Sequence, residues 1–550
     1  MSSNGVQKAP ERAHRCTRFD ALCVAVLIAY FLHFALAARH GGFREDEMMN
    51  IWTYWYVGPV HSLLALAKFW TSYYRPGGAL YYLPLYHFFG LNPFPYRVVQ
   101  ISILTLSIPI AYYLARLLAS SRSVTFLAVL AFCYHPYVAN LVFVGAFIYD
   151  VLCGFFYLAA LTYYVHLREQ DIRLRPVQLL IFLLLYVLAL DSKEMAVTLP
   201  AIVLIYEVLK APRWASWNAF LSWSWRCVAP SLMAGAVTAI YLYGKLYGSG
   251  SLTWLDPYRP RYSWHQFVAS NAKFLNELFF AKDAITPKTF WILWVAVFIY
   301  AVFRRDRTVR LMAVWVVIVP LPIAFLLPIR GGGCLYLLLF GWAMIFAKVA
   351  CDLIALISRP FMFPDQRVAV DHKTEAISET HDGGVAGDAP ILGILRATAG
   401  KTPGWTVRIV LVSVLAVSFA LFTDWENRRL RTVPNLLSAG KKLSHVIAAF
   451  DSLNLRPAPH STVLLKPDEQ LFQNKWHPLF IASLVWNDHS LQIWSDKLSK
   501  ITPEQLAKID YIIALTEFEA TVIRSPGVHH SEGTITNDQP GVRSTPCENR

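Results

Sequence analysis

The segment "ALCVAVLIAYFLHFALAARHGGFREDEMMN", residues 21–50, indicates the class of fold. Its first part, Ala21–Ala38, is apolar and about as long as a helix must be to cross a bilayer, roughly 17–25 residues. An acid-rich run, "FREDE" at 43–47, follows directly. Ionisable groups beside lipid are costly, so those that are retained there are candidates for function. The segment therefore predicts a membrane span with a functional site at its far end.

The composition agrees with a membrane protein. Of the 550 residues, 56% are hydrophobic and only 16% are charged, which is too apolar for a soluble surface. The net charge is +14, from 50 Lys and Arg against 36 Asp and Glu. Such an excess favours nucleic acid in a soluble protein, but in a membrane protein it is typical of basic loops that face the cytoplasm. We therefore expect membrane lipids around the chain and no nucleic-acid partner.

Ten further apolar runs follow the first, so the sequence predicts an α-helical polytopic membrane protein with about 11 transmembrane helices. The predicted spans are Ala21–Ala38, Val98–Ala115, Val124–Val144, Val151–Val165, Val177–Leu190, Met195–Tyr206, Cys227–Tyr243, Phe290–Phe303, Leu311–Leu327, Gly333–Ala347 and Ile409–Phe422.

The distribution of basic residues predicts the orientation. The tail 1–20 is basic and is expected in the cytoplasm. The same side then receives most of the basic residues in short loops: Arg116, Arg122, Arg168, Arg173, Arg175, Lys210, Arg213, Arg226, Arg304, Arg305, Arg307 and Arg310. The short loops on the other side hold only Lys193 and Arg330. Alternatively, the first span is a cleaved signal peptide ending near Ala35–Ala37, which also places residue 41 onward outside.

The remaining segments differ in character. Residues 21–358 form the predicted multi-span domain, and the polar, aromatic-poor stretch 359–405 is typical of a flexible cytoplasmic loop. The last predicted helix occupies 406–423. Beyond it, "STVLLK" at 461–466 and "YIIALT" at 511–516 predict strands, and Thr502–Gln505 predicts a capped helix start. We expect 424–550 to be a small extracytoplasmic α/β domain with a disordered tail.

Charged residues of both signs gather at the predicted outer ends of the spans. Transfer of a group from a phosphate needs a carboxylate to deprotonate the acceptor and cations to hold the leaving charge. We assign the general base to Asp46 or Glu47 and a second carboxylate to Asp150. The phosphate-binding candidates are Lys193, Arg330 and Arg75, and the supporting residues are Glu194 and Arg44.

Each of these residues also has a structural interpretation. The acidic run can be a solvated loop, Asp150 can cap its helix, and Lys193 can pair with Glu194 or extend toward water. Arg330 can bind lipid headgroups. The histidines His33, His87 and His135 fit packing roles, and the eight cysteines form no CxxC pair, so no metal site or disulfide framework is predicted. Assistance by a divalent metal stays open.

The ordered set of residues resembles the C-type (GT-C) superfamily of membrane glycosyltransferases, which includes protein O-mannosyltransferases, the aminoarabinose transferases of lipid A and the tetratricopeptide-bearing O-mannosyltransferases. The similarity lies in Asp46-Glu47 after the first span, the stretch Tyr73–Gln100, Asp150 at a span start, Ser192-Lys193-Glu194 and "LYLLLFGWA" at 335–343. The sequence departs from the tetratricopeptide branch at Gly331–Cys334, where that branch commonly has an Arg, and it lacks the repeats.

The resemblance implies an inverting glycosyltransferase that uses a polyprenyl-phosphate-linked sugar, with Asp46 as the base and a glycan, lipid or protein as acceptor. It also implies a bacterial inner membrane with the active site facing the periplasm; the endoplasmic reticulum would preserve the same mechanism. A transporter or flippase of a lipid-linked saccharide is the alternative, although no internal repeat is visible. An assembly protein whose outer domain binds a partner is a third possibility, but it leaves the one-sided charges unexplained.

Overall fold

A computed structural model of the chain describes residues 17–71, 74–170, 172–211, 216–248, 256–358, 403–498 and 500–525. The chain divides into two compact units, Met1–Lys441 and Lys442–Arg550. The division falls later than the predicted start of the outer domain at residue 424. The segment before it belongs to the first unit, because the Arg44 side chain donates a hydrogen bond to the carbonyl oxygen of Leu436 at 3.1 Å. Residues 359–402 of the predicted loop and the tail 526–550 lie outside the described residues.

The first unit is built from helices. They are α1 Arg18–Ala35, α2 Glu45–Val57, α3 Pro59–Ala67, α4 Ala79–Phe89, α5 Pro93–Ala119, α6 Arg122–Cys133, α7 Asn140–Phe143, α8 Ile148–Glu169, α9 Pro176–Ser192, α10 Leu199–Lys210, α11 Trp217–Trp223, α12 Ala229–Tyr247, α13 Trp264–Leu278, α14 Pro287–Arg304, α15 Arg307–Ile318, α16 Leu321–Ala324, α17 Tyr336–Ser358, α18 Pro403–Arg429 and α19 Thr432–Ser438.

Eight helical stretches among the described residues are long and apolar enough to cross a membrane. They are Arg18–His40, Pro93–Ala119, Gly145–Glu169, Trp217–Tyr247, Pro287–Arg304, Arg307–Ala324, Gly332–Ser358 and Thr406–Arg429. The pair α6 and Pro136–Phe143, bent by 47°, makes a ninth if it is one span. The polytopic helical class is confirmed. The other two of the 11 predicted spans coincide with the shorter helices α9 and α10, so the exact number stays a prediction.

The first helix shows how the sequence sets a span boundary. Thr17 caps α1 through a capping box with Asp20, whose backbone N–H donates to the threonine hydroxyl. The same carboxylate accepts hydrogen bonds from Tyr112 at 3.0 Å and from Arg122 at 3.1 Å. A cap, a buried acid and two neighbouring helices therefore meet at one end of the span.

The second unit contains the predicted α/β fold. Its helices are α20 Lys441–Ser452, which begins at the boundary, α21 His477–Trp486 and α22 Pro503–Ala507, and its strands are β1 Thr462–Pro467, β2 Gln492–Ser495, β3 Tyr511–Leu515 and β4 Ala520–Arg524. The sheet has the order β2-β1-β3-β4, with β1 parallel to both of its neighbours and β4 antiparallel to β3. The predicted strands and helix start are all present.

A buried ion pair fixes α2 against α5. Both side chains of Glu47 and Arg97 are fully buried, and two hydrogen bonds of 2.8 and 2.9 Å join the carboxylate to the guanidinium. Arg97 also donates to the carbonyl oxygen of Gly42 at 2.6 Å. Gly145 packs so closely on the pair that a Cβ atom there would collide with Glu47 and Arg97. The start of α2 is therefore held in place by one buried ion pair and by close packing against one glycine.

We expect Glu47→Gln to lower the melting temperature strongly, because removing one partner of a buried pair leaves an uncompensated charge and costs about 3–5 kcal/mol. The matched control is Asp46→Asn, which changes the exposed neighbour on the same helix and should cost less than about 0.5 kcal/mol. The measurement is thermal unfolding of the detergent-purified protein. Equal melting temperatures for the two variants would show that the pair does not support the fold.

Candidate functional site

The first ion pair of the site joins α8 to the end of α9. Lys193 Nζ lies 2.5 Å from Asp150 Oδ1, and the two side chains are only 8% and 7% exposed. Asp150 lies in the first turn of α8 but does not cap it, since the N-cap residue is Phe147. Lys193 Nζ also lies 3.3 Å from the sulfur of Cys334. Burial favours the neutral amine, but the Asp150 carboxylate outweighs it and raises the pKa of Lys193.

The second ion pair joins the loop before α4 to the residue after Lys193. Arg75 donates to Glu194 through Nε at 3.3 Å and through Nη2 at 3.0 Å. Burial alone would raise the pKa of Glu194, but the Arg75 charge and its hydrogen bonds lower that pKa to about 2. Nη1 of Arg75 makes no hydrogen bond with the described residues and remains a possible donor to a ligand. Lys193 and Glu194 thus pair with different partners and not with each other.

Tyrosines connect the two pairs. The Arg75 guanidinium lies 5.2 Å from the ring centre of Tyr149, the residue before Asp150. Tyr54 on α2 donates to the carbonyl oxygen of Arg75 at 2.7 Å, and its hydroxyl lies 3.0 Å from that of Tyr149. A Cβ atom on Gly78 would collide with both tyrosine rings, so only glycine allows this close approach. The loop that carries Arg75 is therefore held by α2 and α8 together.

Arg330 reaches the same region through aromatic side chains. Its guanidinium lies 5.4 Å from the ring centre of Tyr258. Tyr258 and Tyr74 are close enough to interact, and the Arg75 guanidinium lies 4.6 Å from the ring centre of Tyr74. Arg330 thus lies near the cluster, separated from Arg75 by two tyrosines.

The acidic run after the first span divides into two kinds of residue. Glu47 is buried and both of its oxygens accept hydrogen bonds from Arg97, and its Oε2 also accepts one from the backbone N–H of Arg44 at 3.0 Å. Asp46 is exposed and forms no ion pair or hydrogen bond with the described residues. Asp46 lies eight residues before Tyr54 on α2, about 12 Å along the helix axis. Of the two, only Asp46 is open to an acceptor.

The structure brings Arg75, Asp150, Lys193 and Glu194 into one cluster and places Arg330 nearby. Sequence reasoning missed Arg97, which an arginine within the predicted second-span entry "PFPYRVVQ" could have signalled. It also missed Tyr54 and Tyr149, because tyrosines in apolar sequence cannot be told apart from the aromatic residues that are common at a membrane interface. Asp191, two residues before Lys193, was not among the predicted site residues, yet this carboxyl is 1% exposed and neither oxygen has a hydrogen-bond partner in the described structure.

Among the described residues, no group of three or more His, Cys, Asp or Glu side chains is arranged to hold a metal ion. The carboxylates of the cluster are instead paired with Arg75 and Lys193.

Neither a protein-family model nor a curated protein sequence matches this chain. Among solved structures, the chain is similar to ArnT from Cupriavidus metallidurans bound to undecaprenyl phosphate, with a TM-score of 0.48 and 13% identity over 91% of this chain and 93% of that one. The apo form of ArnT gives a TM-score of 0.46 and 15% identity over 90% and 92%. An oligosaccharyltransferase from Archaeoglobus fulgidus, tethered to an acceptor peptide, gives 0.41 and 9% over 90% and 69%.

The depressed pKa of Glu194 predicts how stability depends on pH. Since the folded pKa of about 2 lies below the ordinary value of 4.5, the pair stabilises the fold fully above that ordinary value and loses this effect as pH falls toward 2. We expect Glu194→Gln to melt below the wild type at pH 7, with a difference that shrinks below pH 4.5. In an Arg75→Met background the same change should show no such pH dependence. A difference that stays constant to pH 3 would contradict the pairing.

Proposed function

We propose that the protein is an inverting glycosyltransferase that moves a sugar from a polyprenyl-phosphate-linked donor to an acceptor hydroxyl on the extracytoplasmic face of the membrane. The observation that carries the proposal is the cluster of Asp150–Lys193 and Arg75–Glu194, in which a buried lysine and a largely buried arginine are each held by a carboxylate. Cations that are already in position stabilise the negative charge that develops on a departing phosphate. The sequence resemblance to GT-C enzymes supports the same reaction.

Each residue has a role that follows from its surroundings. Asp46 is the general base, because it is the exposed carboxylate of the acidic run. Glu47 is a positioning residue, since Arg97 holds both of its oxygens and Arg44 adds a backbone donor. Asp150 holds Lys193 and is the second carboxylate of the site.

The donor phosphate would bind the groups that still have hydrogen-bond donors to offer. These are Arg75 Nη1 and the third proton of Lys193, whose other two protons are directed at Asp150 and Cys334. Glu194 keeps the Arg75 guanidinium in place. Arg330 lies behind Tyr258, so it contributes from the edge of the site.

The proposal places the protein in a bacterial inner membrane, with the cluster facing the periplasm and residues 424–550 on the same side. The acceptor is a glycan, a lipid or a protein. This side is supported by the positive residues gathered at the opposite ends of the spans.

We expect Asp46→Asn to reduce transfer by about 10²–10⁴-fold, the usual contribution of a general base, while insertion and abundance stay normal. The assay uses the purified protein in lipid nanodiscs, radiolabelled polyprenyl-phosphate sugars and an acceptor extract. Glu45→Gln, the preceding acid on the same helix, is the matched control and should keep full activity. Full transfer by Asp46→Asn would remove Asp46 as the base.

We expect Arg75→Met to lower kcat/KM for the donor by about 10–100-fold, because a hydrogen bond to a charged group contributes about 1.5–3 kcal/mol. Arg75→Lys keeps the charge and should recover part of the loss. Arg261→Met is the control, since this arginine is 54% exposed and its ion pair among the described residues is with an exposed Asp256. An unchanged kcat/KM in Arg75→Met, measured on folded and monodisperse protein, would contradict the phosphate assignment.

The second candidate is a transporter or flippase of a lipid-linked saccharide. The bent pair α6 and Pro136–Phe143 favours it, because broken helices are common in transporters. The same purified protein, reconstituted in vesicles, distinguishes the two functions. Labelled lipid that changes leaflet without donor consumption would establish the transporter.

A further inference from the structure

Two loops of the second unit meet at one edge of its sheet. Strands β1, β2 and β3 are parallel, so their carboxyl ends lie at the same edge. After β1 the chain places β2 on one side of it and then β3 on the other side. In open α/β sheets, ligands bind beyond the carboxyl ends of the strands where the strand order reverses in this way. The loops that follow β1 and β3, residues 468–476 and 516–519, form this carboxyl edge.

Helix α20 connects the two loops. Lys442 Nζ donates a hydrogen bond to the carbonyl oxygen of Gln470 in the first loop at 3.2 Å. One turn later on the same helix, His445 Nδ1 lies 3.1 Å from Glu517 Oε1 in the second loop. The two loops and the helix therefore form one continuous surface within the second unit.

This surface exposes an aromatic ring beside a carboxylate. Phe518 is 72% exposed, and the ring of His445 lies against it with ring centres 4.7 Å apart. Glu517 is the preceding residue, and its side chain is 34% exposed. A carboxylate has about four acceptor sites, and the contact with His445 uses one of them. An apolar ring face and polar acceptor atoms are thus available side by side.

This combination fits a pyranose sugar. One face of such a ring presents C–H groups of partial positive charge, which pack on the negative face of an aromatic ring, and its edge carries hydroxyl groups that donate to carboxylates.

Other occupants fit this edge less well. A lipid surface is disfavoured by charged side chains in the same loops, such as Glu469, which is 89% exposed. A stable protein interface buries about 800 Å² per partner. Within these two fully described loops, Phe518 and Trp476 are the large apolar side chains that are exposed. An area of one or two rings matches a saccharide better than a protein.

We propose that the carboxyl edge of the second unit binds a saccharide, and that the acceptor of the transfer reaction is a glycan. One sugar ring packs on Phe518, and its hydroxyl groups donate to Glu517, whose carboxylate is held by His445. The assignment of the acceptor rests on the proposed glycosyltransferase function. Saccharide binding itself requires neither the donor nor Asp46.

The first test measures binding of three fluorescent tetrasaccharides, maltotetraose, mannotetraose and chitotetraose, to the full-length protein in nanodiscs without donor. We expect saturable binding of at least one, and Phe518→Ala should weaken it about tenfold, because aromatic side chains dominate the energy of such contacts. Ile523→Ala is the matched control, since this side chain is 48% exposed beside the start of β3, at the opposite edge. Failure of all three to bind, or equal binding by Phe518→Ala, would overturn the proposal.

Hydroxyl-radical footprinting of the same nanodiscs tests whether lipid occupies the edge instead. Phe518 should be oxidised readily in the absence of saccharide and protected by the tetrasaccharide that binds. Protection of Phe518 before any saccharide is added, and its loss in detergent, would show that lipid covers the ring and would overturn the proposal.

Transfer kinetics separate this site from the chemistry of the charged cluster. Phe518→Ala should raise KM for a glycan acceptor about tenfold, whereas Asp46→Asn should lose kcat and bind the tetrasaccharide like the wild type. A lower kcat with unchanged KM in Phe518→Ala would contradict the role in acceptor binding. If the wild type binds saccharide but consumes no donor, the proposed transfer reaction is wrong and the saccharide site stands. If it transfers sugar but binds no saccharide, the enzyme stands and this inference is wrong.

Discussion

The Glu47–Arg97 ion pair is the interaction on which the geometry of the site depends. Both side chains are removed from water, so each needs the other, and neither helix can shift without leaving a charge unpaired. The pair fixes the start of α2, and α2 carries Asp46 one residue earlier and Tyr54 two turns later. Because consecutive residues on a helix point about 100° apart, burial of Glu47 turns Asp46 away toward solvent. One buried pair thus exposes the neighbouring acid.

The cluster around Arg75 and Lys193 is also built from ion pairs, but its cations keep donors that their carboxylates do not use. Each cation is held by one carboxylate, yet within the described part of the chain neither cation uses all of its donors on protein groups. The cost of desolvation offsets much of the attraction within each pair, although removal of one partner still destabilises the fold because the other charge is left unpaired. It is suited to binding an anion that arrives later, because the positive groups need no reorganisation at that moment. The close packing at Gly78 also keeps Arg75 in position, since it holds the loop of Arg75 against two tyrosines.

Much of the architecture could be predicted from the sequence because a membrane imposes a simple rule. Each spanning segment must satisfy its own backbone hydrogen bonds, so length and hydrophobicity locate the helices. All 11 predicted runs coincide with helical segments, although α9 and α10 are short, and the strands and capped helix of the second unit lie where local pattern placed them. The start of that unit was less predictable, because no local signal shows that Leu436 accepts a hydrogen bond from Arg44.

By itself, the sequence determined the helical membrane class, the strands of the second unit and the set of charged residues at the ends of the spans, because hydrophobicity and charge are local properties. The tertiary structure alone decided the partners within that set. Spacing left Asp46 and Glu47 equivalent, but packing against Arg97 separated them. Adjacent residues such as Lys193 and Glu194 gave no sign that each would pair with a side chain from a different helix or loop. Such choices depend on which chain segments meet in space, and no local pattern encodes that.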